Sequence, residues 1–345
     1  MISPAPIRRV TNTDALSSSG RATPRQSWWR KTWPLLLAIA FTFGLLTLSI
    51  FTGVADLTDT EGRGHEFLWL TRVPRTMALV LAGASMAMAG LVMQLMTQNR
   101  FVEPTTVGTT EWAGLGLLLT YVLLPSPGIM ARMVVAIAFA FLGTMVFFAF
   151  LRRVALKSSL IVPIVGIMFG AVVSAVSTFI ALRFELLQML GSWFAGRFTG
   201  VEIGRYEPLW IVLVIAAVVV LIADRFTVAG LGKDIATNVG LNYERIVFLG
   251  VGLVAIVTGV VTVVIGALPF LGLIVPNLVS LVRGDNLRTN IPWVFLTGIW
   301  IVTICDLIGR VVIMPFEVPV SLVLGVVGAA VFIFLLVRQR GPHAS

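Results

Sequence analysis

The stretch Ile246 to Val282, IVFLGVGLVAIVTGVVTVVIGALPFLGLIVPNLVSLV, carries no charged residue. As one helix rising about 1.5 Å per residue it would run roughly 55 Å, nearly twice the ~30 Å of a bilayer core. The segment Gly266-Ala-Leu-Pro-Phe-Leu-Gly272 interrupts it. Pro and Gly both disfavour helix interiors, so two helices joined by a tight turn are expected here.

The same pattern repeats on either side. Apolar segments occur at Trp33–Thr52, Met77–Met96, Thr106–Leu124, Met130–Leu151, Leu160–Leu182, Leu209–Ala223, Ile291–Cys305 and Val318–Val337. Of the 345 residues 58% are hydrophobic and 12% charged, about half the usual globular share of charge. A soluble core stops growing near ~250–300 residues and could not hide that much apolar surface. The expectation is an all-α polytopic membrane protein of about ten transmembrane helices. Residues 1–31 are polar and lack apolar periodicity, so they read as a disordered tail, and residues 32–340 as a single transmembrane domain.

The formal net charge of +9 does not argue for nucleic acid, because in a membrane protein the basic residues report orientation. With the N-terminus inside, inner segments hold the tail's basic residues together with Arg100, Arg152, Arg153, Lys157, Arg225, Lys233, Arg245, Arg283, Arg288, Arg338 and Arg340. Outer segments hold fewer, among them Arg72, Arg75, Arg197 and Arg310. Both termini are therefore expected on the cytoplasmic side. Cys305 is the single cysteine, and His65 and His343 lie far apart in sequence, so neither an intrachain disulfide nor a metal site is expected. No Gly-x-x-x-x-Gly-Lys-Ser/Thr loop, nucleophile elbow or acidic dyad occurs, and the chain reads as a non-enzyme with no cofactor of its own.

Three polar interruptions carry candidate function. Ala82-Gly-Ala-Ser-Met-Ala-Met-Ala-Gly90 is crowded with small residues, suited to close helix approach, and Gln94, Gln98 and Asn99 follow on the same helix. Asn99-Arg-Phe-Val-Glu-Pro-Thr-Thr-Val-Gly108 has the proline and glycine of irregular backbone, which at membrane depth must be buried or line a cavity. Between glycines 230 and 240 a short helix is expected, with Leu231, Ile235, Ala236 and Val239 on one face for a partner's groove.

In order, Arg72-Val-Pro-Arg75, Ala82-Gly-Ala…Gly90…Gln94, Asn99…Pro104…Gly108, Leu231-Gly…Ala236…Gly240-Leu241, Phe270-Leu-Gly-Leu-Ile-Val-Pro276, Asp306-Leu-Ile-Gly-Arg310 and Glu317-Val-Pro-Val320 resemble the FecCD family of permeases from ATP-driven importers of iron-siderophores, haem and cobalamin. The resemblance covers roughly residues 33–340. Two positions depart from the common pattern: Asn-Pro-Leu becomes Asn99-Arg100-Phe101, and Pro-His becomes Pro276-Asn277. Both departures look like the subgroup importing ferric catecholate or mixed-ligand siderophores.

The resemblance implies a cobalamin-importer-type permease fold in the plasma membrane, a second permease subunit (identical or related), two ATPase subunits that use ATP and Mg, and an extracytoplasmic siderophore-binding protein. Arg72, Arg75 and Arg310 would receive that protein's carboxylates. Gly230, Leu231, Gly232, Lys233, Ile235, Ala236, Val239 and Gly240 would ride on the ATPase. Gln94, Asn99, Phe101, Ser158 and Ser159 would lie on the pathway or its inner gate. A ferric siderophore is the expected cargo, with haem or cobalamin as alternatives. An ion-coupled carrier is the competing class, and it would need Glu103 and Glu111 as a relay inside the membrane.

Overall fold

The computed structural model describes residues 28–53, 66, 68–153 and 161–339, and in these the regular structure is helical. Of the expected tail, residues 1–27 lie outside the described residues, and residues 28–31 open the first helix. In chain order the helices are α1 (Trp28–Phe51), α2 (Val73–Thr97), α3 (Thr109–Leu123), α4 (Ile129–Arg153), α5 (Ile161–Arg183) and the short α6 (Leu187–Phe194). They continue with α7 (Trp210–Leu221), α8 (Ala223–Gly230), α9 (Lys233–Asn238), α10 (Tyr243–Val264), α11 (Leu271–Arg283), α12 (Leu287–Val311) and α13 (Val320–Gln339). A π-helical turn at Leu68–Arg72 runs straight into α2 and lengthens that span to 30 residues.

Each apolar segment of the sequence coincides with a helix, but the helices are not equivalent. Among the described residues 7 are long and apolar enough to cross a membrane alone. An eighth passage is the pair α7–α8, bent by 63°. The remaining two, α3 with 15 residues and α11 with 13, reach only about 22 and 20 Å. Short helices leave irregular backbone at depth, which must be enclosed by protein. The segments doing this are 98–108, ahead of α3, and 265–270, ahead of α11.

The hub is α2, 78% of whose apolar window is buried within the chain; it touches α12, α11, α10, α7 and α8. Its small residues permit this. A Cβ built on Gly83 would lie 2.8 Å from the Gly298 carbonyl oxygen of α12, and one on Gly90 would lie 2.1 Å from the Gly272 carbonyl oxygen of α11. The small-residue run is therefore a packing face, closing three helices to backbone contact. By contrast only 17% of the window of α1, 28% of α5 and 22% of α13 is covered by the rest of the chain. Their exposed Phe43, Met168, Phe179, Val326 and Phe334 face outward from the bundle, where lipid or another subunit is an apolar solvent as good as a core.

The break inside the uncharged stretch has a definite geometry. Gly266 takes φ 107° and Phe270 takes φ 62°, a left-handed conformation rare for a bulky residue. Phe270 is held there by α13: a Cβ on Gly328 would lie 2.4 Å from the Phe270 Cβ, so only glycine leaves room for that side chain.

Candidate functional site

The start of α11 is held by side chains of α2 and of segment 98–108. Pro276 lies inside α11 and has no N–H, so the carbonyl four residues earlier, that of Gly272, loses its helical partner. Gln94 of α2 replaces it, Nε2 donating to the Gly272 oxygen at 3.3 Å. At the start of α11 the first N–H groups are orphaned, as at every helix N-terminus. Glu103, fully buried, reaches in from segment 98–108: Oε1 accepts from the Phe270 N–H at 2.8 Å and Oε2 from the Leu273 N–H at 3.1 Å. The Thr105 hydroxyl donates to Oε1 as well. A carboxylate suits the positive end of a helix dipole. Glu103 is thus a helix cap supplied from a different element. The cue in the sequence is its irregular neighbourhood; its partner lies 167 residues away.

Asn99 and Phe101 are both buried. The Asn99 Oδ1 accepts from the Phe101 N–H at 2.9 Å, a local turn that sets the ring's direction. That ring meets Phe332 of α13 edge-on, centroids 5.7 Å apart. Below it opens a cavity of about 360 Å³ whose wall includes Gln94, Gln98, Asn99, Asn277, Gly230 and Leu231. Gln94, Asn99 and Phe101 are therefore brought to one region, at the end of the bundle that also carries the 230–241 loop. Ser158 and Ser159 lie outside the described residues.

In that loop Gly232 and Gly240 adopt φ 114° and 86° and bracket the short α9. Leu231, Ile235 and Val239, four residues apart, are 60%, 48% and 67% exposed, whereas Ala236 is fully buried. Ala236 is rotated by one residue, about 100°, from Ile235 and faces the chain's own body. The expectation that all four share one outward face is corrected: three do, and Ala236 seats the helix. Lys233 at the start of α9 pairs with Glu244 of α10 at 3.3 Å, and Arg152 at the end of α4 pairs with the same carboxylate at 2.5 Å.

Arg72, Arg75 and Arg310 gather at the opposite end of α2. Arg310 donates from Nη1 to the carbonyls of Ser49 and Thr52, at 2.8 and 3.0 Å, and from Nη2 to Asp306. Arg72 donates to the Ile50 carbonyl at 2.6 Å. These two guanidinium groups thus satisfy the last carbonyls of α1. Arg75 grips Glu317 with both Nη atoms, at 3.0 and 2.7 Å, and Asp306 at 2.7 Å. The expected i,i+4 pair Asp306–Arg310 is present, and each of the three arginines is engaged with the chain's own groups. A cavity of about 330 Å³ opens beside Arg75, Asp306 and Glu317. Arg197, exposed on its rim, has no ion-pair partner among the described residues.

Comparison with known proteins matches residues 34–338 to the model of the FecCD transport family. The chain is 56% identical over 315 residues, 91% of its length and 93% of the relative's, to the petrobactin import system permease protein FatD of Bacillus anthracis. It is 40% identical over 311 residues, 89% of its length and 96% of the relative's, to the petrobactin import system permease protein YclN of Bacillus subtilis strain 168. The ferric-anguibactin transport system permease protein FatD of Vibrio anguillarum is 40% identical over 307 residues, 88% of this chain and 98% of that one. Among solved structures, an inward-facing metal-chelate type ABC transporter shares the fold, with a TM-score of 0.75 at 20% identity, covering 90% of this chain and 100% of that one.

Proposed function

The chain belongs to the FecCD transport family, and from that premise we propose that it is the membrane permease subunit of an ATP-driven importer whose cargo is a ferric siderophore of the petrobactin type. The observation that carries the cargo is the 56% identity to a petrobactin permease across nearly the whole chain. A second permease and two ATPase subunits complete the pore and its drive. An extracytoplasmic binding protein delivers the cargo. Both termini and the 230–241 loop face the cytoplasm, and Arg72, Arg75 and Arg310 face out.

The geometry supports a division of labour. The outward face of α9, with Leu231, Ile235 and Val239 exposed, is an apolar knob for a groove in the ATPase. Asn99 and Phe101 close the inner end of the path, where the Phe101 ring on Phe332 seals a passage above the polar cavity. At the outer end a carboxylate of the binding protein competes with Glu317, 30% exposed, for the Arg75 fork, and Arg197 offers a further cation. The cap role of Glu103 counts against a proton relay: its oxygens already accept from Phe270, Leu273 and Thr105.

The test is reconstitution in proteoliposomes with the partner ATPase and the binding protein, using radioactive ferric petrobactin. Uptake should require ATP and the binding protein, and haem or cobalamin should not compete. Uptake by the permease alone along an ion gradient would establish a carrier instead.

A further inference from the structure

Arg100 and Asn277, two of the three residues that depart from the family's common pattern, touch each other. The Asn277 side chain, buried in α11, donates from Nδ2 to the Arg100 backbone carbonyl at 2.8 Å and to the Leu273 carbonyl at 2.7 Å. The Arg100 guanidinium extends the other way, Nη2 donating to Oδ2 of Asp285 in the turn between α11 and α12 at 2.7 Å. That turn is itself held in place. Ser280 of α11 donates its hydroxyl to the other Asp285 oxygen, and Asn290 of α12 donates to the Gly284 carbonyl at 2.5 Å. The Ser280 hydroxyl first, and Arg100 second, hold the Asp285 carboxyl below the usual carboxylate range, so it stays charged at neutral pH. One residue of the gate segment is therefore tied by its backbone to a helix and by its side chain to a preset loop carboxylate.

We propose that Arg100, Asn277 and Asp285 form a latch that holds the Asn99–Phe101 gate segment shut against α11 and its following turn. The proposal rests on the gate reading of Asn99 and Phe101 given above, and adds the groups that set the gate's rest position. Asn277 is the fixed, buried half. The ion pair is the releasable half, since its side chains are 55% and 66% exposed and salt screens such pairs. The latch also sits where movement of the ATPase can reach it: Arg100, Asn277 and Asp285 line the 360 Å³ cavity, and Gly230 and Leu231, opening the coupling loop, line it too. Displacing that loop would reshape the cavity and draw Asp285 from Arg100.

Hydrogen–deuterium exchange of the backbone amides of residues 98–106 reads opening of this segment independently of cargo. It is measured on the whole subunit assembled with its ATPase in nanodiscs. Arg100→Gln and Asp285→Asn should each speed exchange about two- to five-fold, the range for one exposed ion pair. The double variant should exchange no faster than either single one, because both remove the same contact. Arg100→Lys should restore most of the protection. Raising salt should bring the wild type toward the variants and leave the double variant unchanged. ATP-independent leak of ferric petrobactin from preloaded vesicles should rise in the single variants by a similar factor. Unchanged exchange in both single variants, additive effects in the double, or equal acceleration in α10 would overturn the latch. Faster exchange without leak would overturn its gating role. A wild-type complex that fails to import ferric petrobactin with ATP defeats the cargo assignment alone, and the exchange result still decides the latch.

Discussion

Glu103 separates two accounts of this protein, and replacing it tests the cap directly. In Glu103→Ala the Phe270 N–H, 2.8 Å from the carboxylate, loses its acceptor, whereas the Leu273 N–H, 3.1 Å away, keeps the Phe270 carbonyl at 3.2 Å. One orphaned donor costs about 1–3 kcal/mol. Glu103→Gln keeps one oxygen for the Phe270 N–H and turns its amide NH₂ toward the Leu273 N–H, which retains the Phe270 carbonyl, so a smaller loss, about 1 kcal/mol or less, is expected. A chain of this length loses on the order of 2 °C in melting temperature per kcal/mol. The Ala variant should therefore melt about 2–6 °C lower and the Gln variant lower by about 2 °C or less. The assay is thermal unfolding of the purified subunit in detergent, followed by tryptophan fluorescence, at constant lipid content. The Gln variant should retain ATP-driven uptake at moderate temperature. An Ala variant as stable as wild type would refute the cap. A Gln variant of wild-type stability with no transport at all would favour a proton relay.

Gln94→Leu should cost about 1–3 kcal/mol, because the Gly272 carbonyl released by Pro276 loses its donor at 3.3 Å; unfolding in detergent checks this, and a neutral variant would mean the bond contributes nothing. On α9, Ile235→Glu on the exposed face should leave melting unchanged yet lower uptake per ATP hydrolysed, whereas Ala236→Glu, at a fully buried position, should destabilise the loop itself, seen as faster amide exchange over residues 231–241. Arg197→Glu should weaken docking of the loaded binding protein modestly and flatten its salt dependence, by about the ~0.2–1 kcal/mol of an exposed pair, with no change in melting; an unchanged salt slope places docking elsewhere. Asp285, facing Arg100 from the gate segment and Ser280 from α11, has its carboxyl held low, so its contribution is present above the ordinary carboxylate range and lost only as pH falls through the lowered value. Protection of residues 98–106, corrected for the intrinsic pH dependence of amide exchange, should thus be flat from about pH 8 down through the ordinary carboxylate range and fall only below it.

Much of the molecule is legible in the order of its residues. Uncharged apolar runs long enough to cross a bilayer have few other solutions in water, so the helices and their order follow from composition and spacing. The break at Gly266–Gly272 follows from Pro and Gly chemistry, and the α9 helix from its bracketing glycines. The arginine group is legible only in part. Asp306 and Arg310 are one helical turn apart and their pairing is foreseeable. The grip of Arg75 on Glu317 spans 242 residues and is not.

Local sequence determined which segments are helices, because hydrophobic runs and helix breakers act within a turn or two of themselves. Tertiary structure decided what the polar residues between them do. Glu103, Gln94 and Asn277 each answer a backbone or side-chain vacancy on a distant element, and Ala236 differs from its neighbour Ile235 only by which way α9 is seated. Inside a low-dielectric bundle a buried polar group without a partner is costly, and the three-dimensional packing, not the spacing along the chain, selects which partner such a group finds.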